Sequence, residues 1–213
     1  QMTSQMFAIF AFLLLALQTE NSLKNPFILD DITKLVQNKD IRSFSGFPWT
    51  LFTSYPENRI LHSASNDPSR PLLFFSFTLN YCFFGNGPWH FRLVNLIIHF
   101  LNCLLVRVVV CQLCFTLLRP SRNAIQISQT ASITASCLFV CCPINVATAS
   151  YVYARADLLS SLFVLLSLCI FMKASQNQAR DANKRSSQPE IYFPFALSIS
   201  YACGLACKQT ALV

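Results

Sequence analysis

Glycine is nearly missing from this chain, with four residues in 213, and neither type of glycine-rich nucleotide-phosphate loop occurs. That excludes a site that cradles a nucleotide with backbone amides. Charge is equally thin, since 12% of residues are charged against 54% apolar, and the mean hydropathy is +0.45. Such values lie far from those of a water-soluble domain of this length. Histidines number three, and Cys111-x-x-Cys114 has no second pair or suitably spaced histidines, so the sequence completes no zinc pattern. No Asn-x-Ser/Thr acceptor is present, which leaves an endoplasmic reticulum membrane and a bacterial inner membrane both open.

What the chain does have is apolar runs and 20 phenylalanines. They predict an all-α, polytopic membrane helix bundle with about five transmembrane helices and a long first outer loop. Met6–Leu17 reads as part of a first crossing, because a span needs about 20 apolar residues; a signal-peptide core is the alternative. Trp89–Leu118, Ala124–Cys142, Asp157–Met172 and Ile191–Cys207 read as the other crossings. The third of the five is the most polar, which suits a helix buried among helices. Residues 18–88 form the outer loop, with six basic and six acidic residues, Arg59 and Glu57 among them. Inside it, Leu72–Phe84 is too short to cross and suits an interfacial helix. Residues 89–213 carry the remaining helices, and both chain ends look like cuts in a larger protein whose C-terminal part lies beyond.

Positive charge marks the cytoplasmic side of short loops. Arg119 and Arg122 follow the second crossing, and Lys173, Arg180, Lys184 and Arg185 follow the fourth, so these loops are assigned to the cytoplasm. The long first loop and the segment Pro143–Ala156 then share the outer or luminal face and should meet. The net charge of +7 is explained by loops against anionic headgroups and not by nucleic acid, since no basic patch interleaved with aromatics occurs. The ten cysteines are scattered through apolar spans and read as small buried hydrophobes, with Cys141 and Cys142 as the candidate redox partners.

Three polar constellations carry chemistry. The first is Asp30-Asp31 within Asn25-Pro-Phe-Ile-Leu-Asp-Asp-Ile-Thr33, where one carboxylate can deprotonate an acceptor hydroxyl while its neighbour supports it; alternatively Asp30 caps a helix starting near Ile32. The second is Arg92, Asn95, His99 and Asn102, which share one helical face. Such a face avoids lipid and marks either a binding cavity or a structural network. The third is Tyr151-Val-Tyr-Ala-Arg-Ala-Asp-Leu158, in which Arg155 offers a planar fork to a phosphate; alternatively Asp157 caps the helix and Arg155 snorkels at the interface.

These segments, in order, resemble membrane proteins with O-mannosyltransferase-like domains and tetratricopeptide repeats, together with their bacterial relatives. The residues that carry the resemblance are Asn25-Pro-Phe-Ile-Leu-Asp-Asp31, Ser69-Arg-Pro-Leu-Leu-Phe-Phe-Ser-Phe-Thr-Leu-Asn-Tyr81, Phe91-Arg-Leu-Val-Asn-Leu-Ile-Ile-His99, Arg155-Ala-Asp-Leu-Leu159 and Ala206-Cys-Lys-Gln209. Such proteins are similar to type C glycosyltransferases, whose first outer loop holds a catalytic acidic pair and whose donor is a sugar on a polyprenyl phosphate. The resemblance implies Asp30 as base, Asp31 as its support, and Arg155 and Asp157 as donor-phosphate or acceptor ligands. The polar face of Arg92, Asn95 and His99 is the further substrate-binding candidate. The chain departs from the family at Cys142 and Arg92, where histidines are usual, at Gln209, where an acid is common, and at Ala154, where glycine is frequent.

The activity so implied moves mannose or another hexose from a membrane-borne polyprenyl-phosphate donor to a protein or glycan hydroxyl. The alternatives are an inactive scaffold and a lipid-binding or transport protein. The latter predicts glycine-broken helices or inverted repeats, and neither occurs in the sequence. No cofactor is implied, and a lone acidic pair makes a poor cage for a divalent metal.

Overall fold

Helix after helix follows the apolar runs. The computed structural model describes residues 4–42, 44, 67, 69–118, 122–181 and 192–208; Glu57, Arg59, Arg119, Lys184, Arg185, Ile191 and Gln209 lie outside them. Among the described residues the α-helices are α1 (Ser4–Leu23), α2 (Pro71–Phe84), α3 (Pro88–Leu117), α4 (Arg122–Cys141), α5 (Pro143–Ser150), α6 (Arg155–Asp181) and α7 (Tyr192–Cys207). Prolines open α2, α3 and α5, where the fixed φ suits a first turn and the missing N–H is not needed.

Three helices are long and apolar enough to cross a membrane: α3, α4 from Asn123, and α6 as far as Asn177. The 30 residues of α3 extend about 45 Å, against a hydrocarbon core of about 30 Å. Met6–Leu17 and Phe193–Cys207 are shorter apolar stretches. At 14 residues, α2 reaches only about 21 Å and cannot cross.

Some boundaries differ from the sequence reading. The first helix runs on to Leu23, through Thr19, whose hydroxyl bonds to the Leu15 carbonyl at 2.8 Å. The segment 143–156, expected as a loop, holds α5, because Pro143 starts a helix and Asn145 Nδ2 ties it to the Phe139 carbonyl at 2.9 Å. The ten cysteines are all free, Cys141 and Cys142 included.

Packing uses one face of each helix. Phe7, Ala11 and Leu15 recur every fourth residue on α1 and bury against Leu96 and Cys103 of α3 and Val140 of α4. The opposite face presents Ile9, Leu13 and Leu17 outward, as lipid requires. On α4, Ser128, Ser132 and Ser136 are buried, while Gln126, Thr130 and Thr134 line an open groove on the other side. Thus only one polar face of the third crossing is covered by helices in the described residues. Antiparallel α6 and α7 are joined by a bond from Ser200 Oγ to the Phe163 carbonyl at 3.0 Å, a polar link of the kind that holds helices together in lipid. A second apolar cluster, with Leu35, Ile41, Leu73, Phe77, Phe91 and Val152, closes one end of the bundle. That end carries the candidate site.

Candidate active site

The acidic pair sits where regular structure breaks. After α1 the chain passes Asn25-Pro26 and turns at Leu29, whose φ of +50° lies in the left-handed region that a branched residue avoids. Asp30 and Asp31 follow, and a π-helical turn, Ile32–Val36, comes directly after them. A strained residue and a wide turn together at one place are typical of functional backbone. Neither carboxylate caps this turn, because Asp31 occupies the N-cap position without a side-chain capping bond and Asp30 is engaged elsewhere.

Arg92 sets the position of this segment. It is buried, and its guanidinium donates to three carbonyls: Ser150 at the end of α5 from Nε at 3.0 Å, Pro26 from Nη2 at 2.6 Å, and Asn25 from Nη1. A planar fork can join two chain segments in this way, whereas an imidazole at the same place has two nitrogens at most. Arg92 therefore clamps the first loop to the end of α5.

The first loop and the segment that follows α5 meet, as expected. Tyr151 Oη donates to Asp30 Oδ2 at 3.2 Å, and the Tyr153 amide donates to Asp31 Oδ1 at 2.8 Å. The Ile28 amide completes the environment of Asp31 at 3.5 Å. Their surroundings differ: Asp30 is exposed, while Asp31 is 0% exposed. Oδ1 of Asp30 has no partner among the described residues and is open to a hydroxyl. Burial pushes the Tyr151 phenol up to about 12, reinforced by the charges of Asp30 and Asp31, so Tyr151 remains a hydrogen-bond donor to Asp30 throughout the physiological range.

Burial also pushes the Asp31 carboxyl above its ordinary 3.8, with the amides of Tyr153 and Ile28 and the charge of Arg92 pulling the other way. A carboxyl whose folded pKa is raised binds its proton more readily folded than unfolded. Its contribution to stability therefore declines as pH rises from 3.8 through the higher folded value, and is level beyond it. Unfolding midpoints across acidic to neutral pH are expected to show this decline, and Asp31→Asn to flatten it. An identical profile in the variant would place the effect on another group.

Asn95 and Arg155 hold the turn that follows α5. Asn95 Nδ2 donates to the carbonyls of Tyr151 and Val152 at 3.1 and 3.3 Å, and Asn95 Oδ1 accepts from Arg155 Nε at 2.7 Å. Arg155, the first residue of α6, is 0% exposed and does not snorkel. It donates further to Asn80 Oδ1 and to the Phe91 carbonyl, both at 2.8 Å, and to the Ser76 carbonyl at 3.3 Å. Its guanidinium lies 4.7 Å from the Phe77 ring centre. One side chain thus joins α2, α3 and α6. Farther along the polar face, Asn102 donates to the Leu158 carbonyl at 3.0 Å. His99 is buried with both ring nitrogens unpartnered, beside the Phe139 ring at 5.3 Å. Asp157, in the first turn of α6, pairs with Lys208, just past α7.

Of the site residues named from sequence, Asp30, Asp31, Arg92, Asn95 and Arg155 converge on one cluster. His99 lies deeper in the bundle, and Asp157 sits at its side with Lys208. Tyr151, Tyr153, Asn80 and Arg70 lie within the segments quoted from sequence but carry no assigned role there. Asn80 had a usable signal, a lone amide in the apolar run of α2. The tyrosines had none, since their roles arise from contacts about 120 residues away in sequence. Among the described residues no group of three His, Cys, Asp or Glu side chains is placed to hold a metal ion.

Apolar helices of crossing length, joined at one end by a buried arginine network beneath an exposed carboxylate, define a multi-pass integral membrane protein with a polar site at its rim. No family model matches the chain, and no solved structure matches it. Curated proteins do. The chain is 33% identical over 153 residues, 72% of its length, to Protein O-mannosyl-transferase tmtc2 of Xenopus laevis. It is 30% identical over 196 residues, 90% of its length, to Protein O-mannosyl-transferase TMTC1 of Homo sapiens. To Protein O-mannosyl-transferase TMTC4 of Homo sapiens it is 27% identical over 188 residues, 87% of its length. By this homology the chain is related to the TMTC O-mannosyl-transferases. It spans only 17%, 20% and 25% of these three relatives.

Proposed function

We propose that this chain is the catalytic-loop portion of a membrane glycosyltransferase that moves a sugar, mannose or another hexose, from a polyprenyl-phosphate donor to a hydroxyl of a protein or glycan. The observation that carries the reading is the state of Asp30: exposed, steered by Tyr151 through one oxygen, and open at the other. The relatives' names, which specify O-mannosyl transfer to protein, support the reaction class.

In the proposed step the acceptor oxygen attacks the anomeric carbon while Asp30 takes the hydroxyl proton. The bond from that carbon to the phosphate oxygen breaks, and the phosphate leaves with the electron pair. Charge passes through an oxocarbenium-like state and the anomeric centre inverts. Asp31, buried and held by backbone amides, fixes the position of its neighbour, and Arg92, Asn95 and Arg155 act on the site through the backbone they hold. Asp157, paired with Lys208, and His99, deeper in the bundle, are the further substrate-binding candidates. The site faces the outer or luminal side, and an endoplasmic reticulum or bacterial inner membrane would house it. The positive charge of the opposite short loops supports that side.

The test is transfer by the full-length protein in membranes, comparing labelled polyprenyl-phosphate mannose with a labelled nucleotide sugar. Label is expected on hydroxyls of protein from the lipid-linked donor and not from the nucleotide sugar in membranes unable to interconvert them. Absence of wild-type transfer from polyprenyl-phosphate donors of several hexoses would defeat the reading.

A further inference from the structure

A departing phosphate needs a cation beside the acidic pair, and the two arginines marked by sequence are not free to serve. Arg155 is sealed in the interior with donors spent on Asn95, Asn80, Phe91 and Ser76. Arg92 spends all three of its nitrogens on backbone carbonyls. A group that meets a lipid-borne phosphate must reach the surface with donors to spare.

Arg70, just before α2, meets both conditions. Its side chain is 28% exposed, and its two contacts are loose: Nε to Asp67 Oδ2 at 3.6 Å and Nη1 to Tyr153 Oη at 3.5 Å. Contacts of that length are at or beyond the limit of a good hydrogen bond, and Nη2 has no partner among the described residues. Its position is specific as well. Tyr153 is the residue whose amide holds Asp31, and Tyr151, two residues earlier, holds Asp30. Arg70 is therefore one side chain away from the acidic pair. Lys208, another partly exposed cation, is drawn close to Asp157 and offers a point charge without a fork.

We propose that Arg70 binds the phosphate of the polyprenyl-phosphate donor, an assignment that rests on the donor class inferred above. Phosphate oxygens replace Asp67 and Tyr153 as acceptors of the guanidinium, which can present two parallel N–H groups to them. As the bond to the sugar breaks, the charge gathered on the leaving oxygen falls on this fork.

The experiment measures binding to the full-length protein in lipid nanodiscs, with sugar-free polyprenyl phosphate, polyprenol and inorganic phosphate as separate probes. Wild type, Arg70→Gln, Arg70→Lys and Tyr153→Phe are compared. Arg70→Gln is expected to weaken polyprenyl-phosphate binding by about 10- to 100-fold, the range for a charge-assisted hydrogen bond, and to leave polyprenol binding unchanged. Arg70→Lys should fall between them, and Tyr153→Phe should stay near wild type. Inorganic phosphate should compete in wild type and less so in Arg70→Gln. Wild-type affinity in Arg70→Gln overturns the assignment while leaving the donor class intact. An equal loss in Tyr153→Phe also overturns it, since Arg70 would then act only by bracing the turn. If wild type binds polyprenyl phosphate no better than polyprenol, the donor class fails and the assignment with it.

Discussion

Arg155→Leu in the full-length protein is expected to lower stability by about 3–5 kcal/mol, the range for removing one member of a buried charged network. The side chain is fully enclosed and donates to two side-chain amides and two carbonyls on the two helices α2 and α3. Its removal leaves Asn95 Oδ1 and Asn80 Oδ1 as buried acceptors without donors, each a penalty of about 1–3 kcal/mol. Lysine should recover less than half, because three donors on a flexible stem cannot reproduce a planar fork that meets four acceptors. Adding Asn80→Leu to Arg155→Leu should restore part of the loss, since that removes an orphaned acceptor along with the donor. Denaturant unfolding in mixed micelles measures all of these. Wild-type stability in Arg155→Leu would mean that some other contact fixes the turn at 151–155.

Asp30→Asn is the counterpart at the surface, expected to leave the fold intact and to reduce sugar transfer by about 10²- to 10⁴-fold, the span of general-base contributions. The amide keeps an oxygen for the Tyr151 hydroxyl, and the position is exposed, so stability should barely move. What vanishes is the capacity to accept a proton. Asp31→Asn should cut transfer less, because the Tyr153 amide still finds an oxygen and the group does not face the acceptor. Equal transfer rates in wild type and Asp30→Asn, at equal protein level, would remove Asp30 from the chemistry.

Much of the bundle was legible because hydropathy is a local property. A stretch such as Pro88–Leu117 declares its environment residue by residue, and the spacing of Arg92, Asn95, His99 and Asn102 declares a common face. Helix ends were less legible. Arg155–Asp181 outruns its apolar part at both ends, as a helix can where water or neighbouring side chains satisfy it. The acidic pair was visible as a pair, and its two possible uses, cap or base, could not be separated. That Asp31 makes no capping bond depended on where the Tyr153 amide comes to lie.

The sequence by itself determined that the chain is a multi-pass helical membrane protein with an acidic pair near one membrane face and a polar stripe that cannot look at lipid. Those conclusions follow from transfer free energies and helical periodicity, which act over a few turns. Only the tertiary structure decided what the arginines do. Whether a guanidinium holds a phosphate or its own protein depends on acceptors supplied from elsewhere in the chain, and Arg155 finds Asn80, Phe91 and Asn95 there. The same long-range pairing made Asp31 a buried support and left Asp30 in water, although the two are neighbours in sequence and chemically identical.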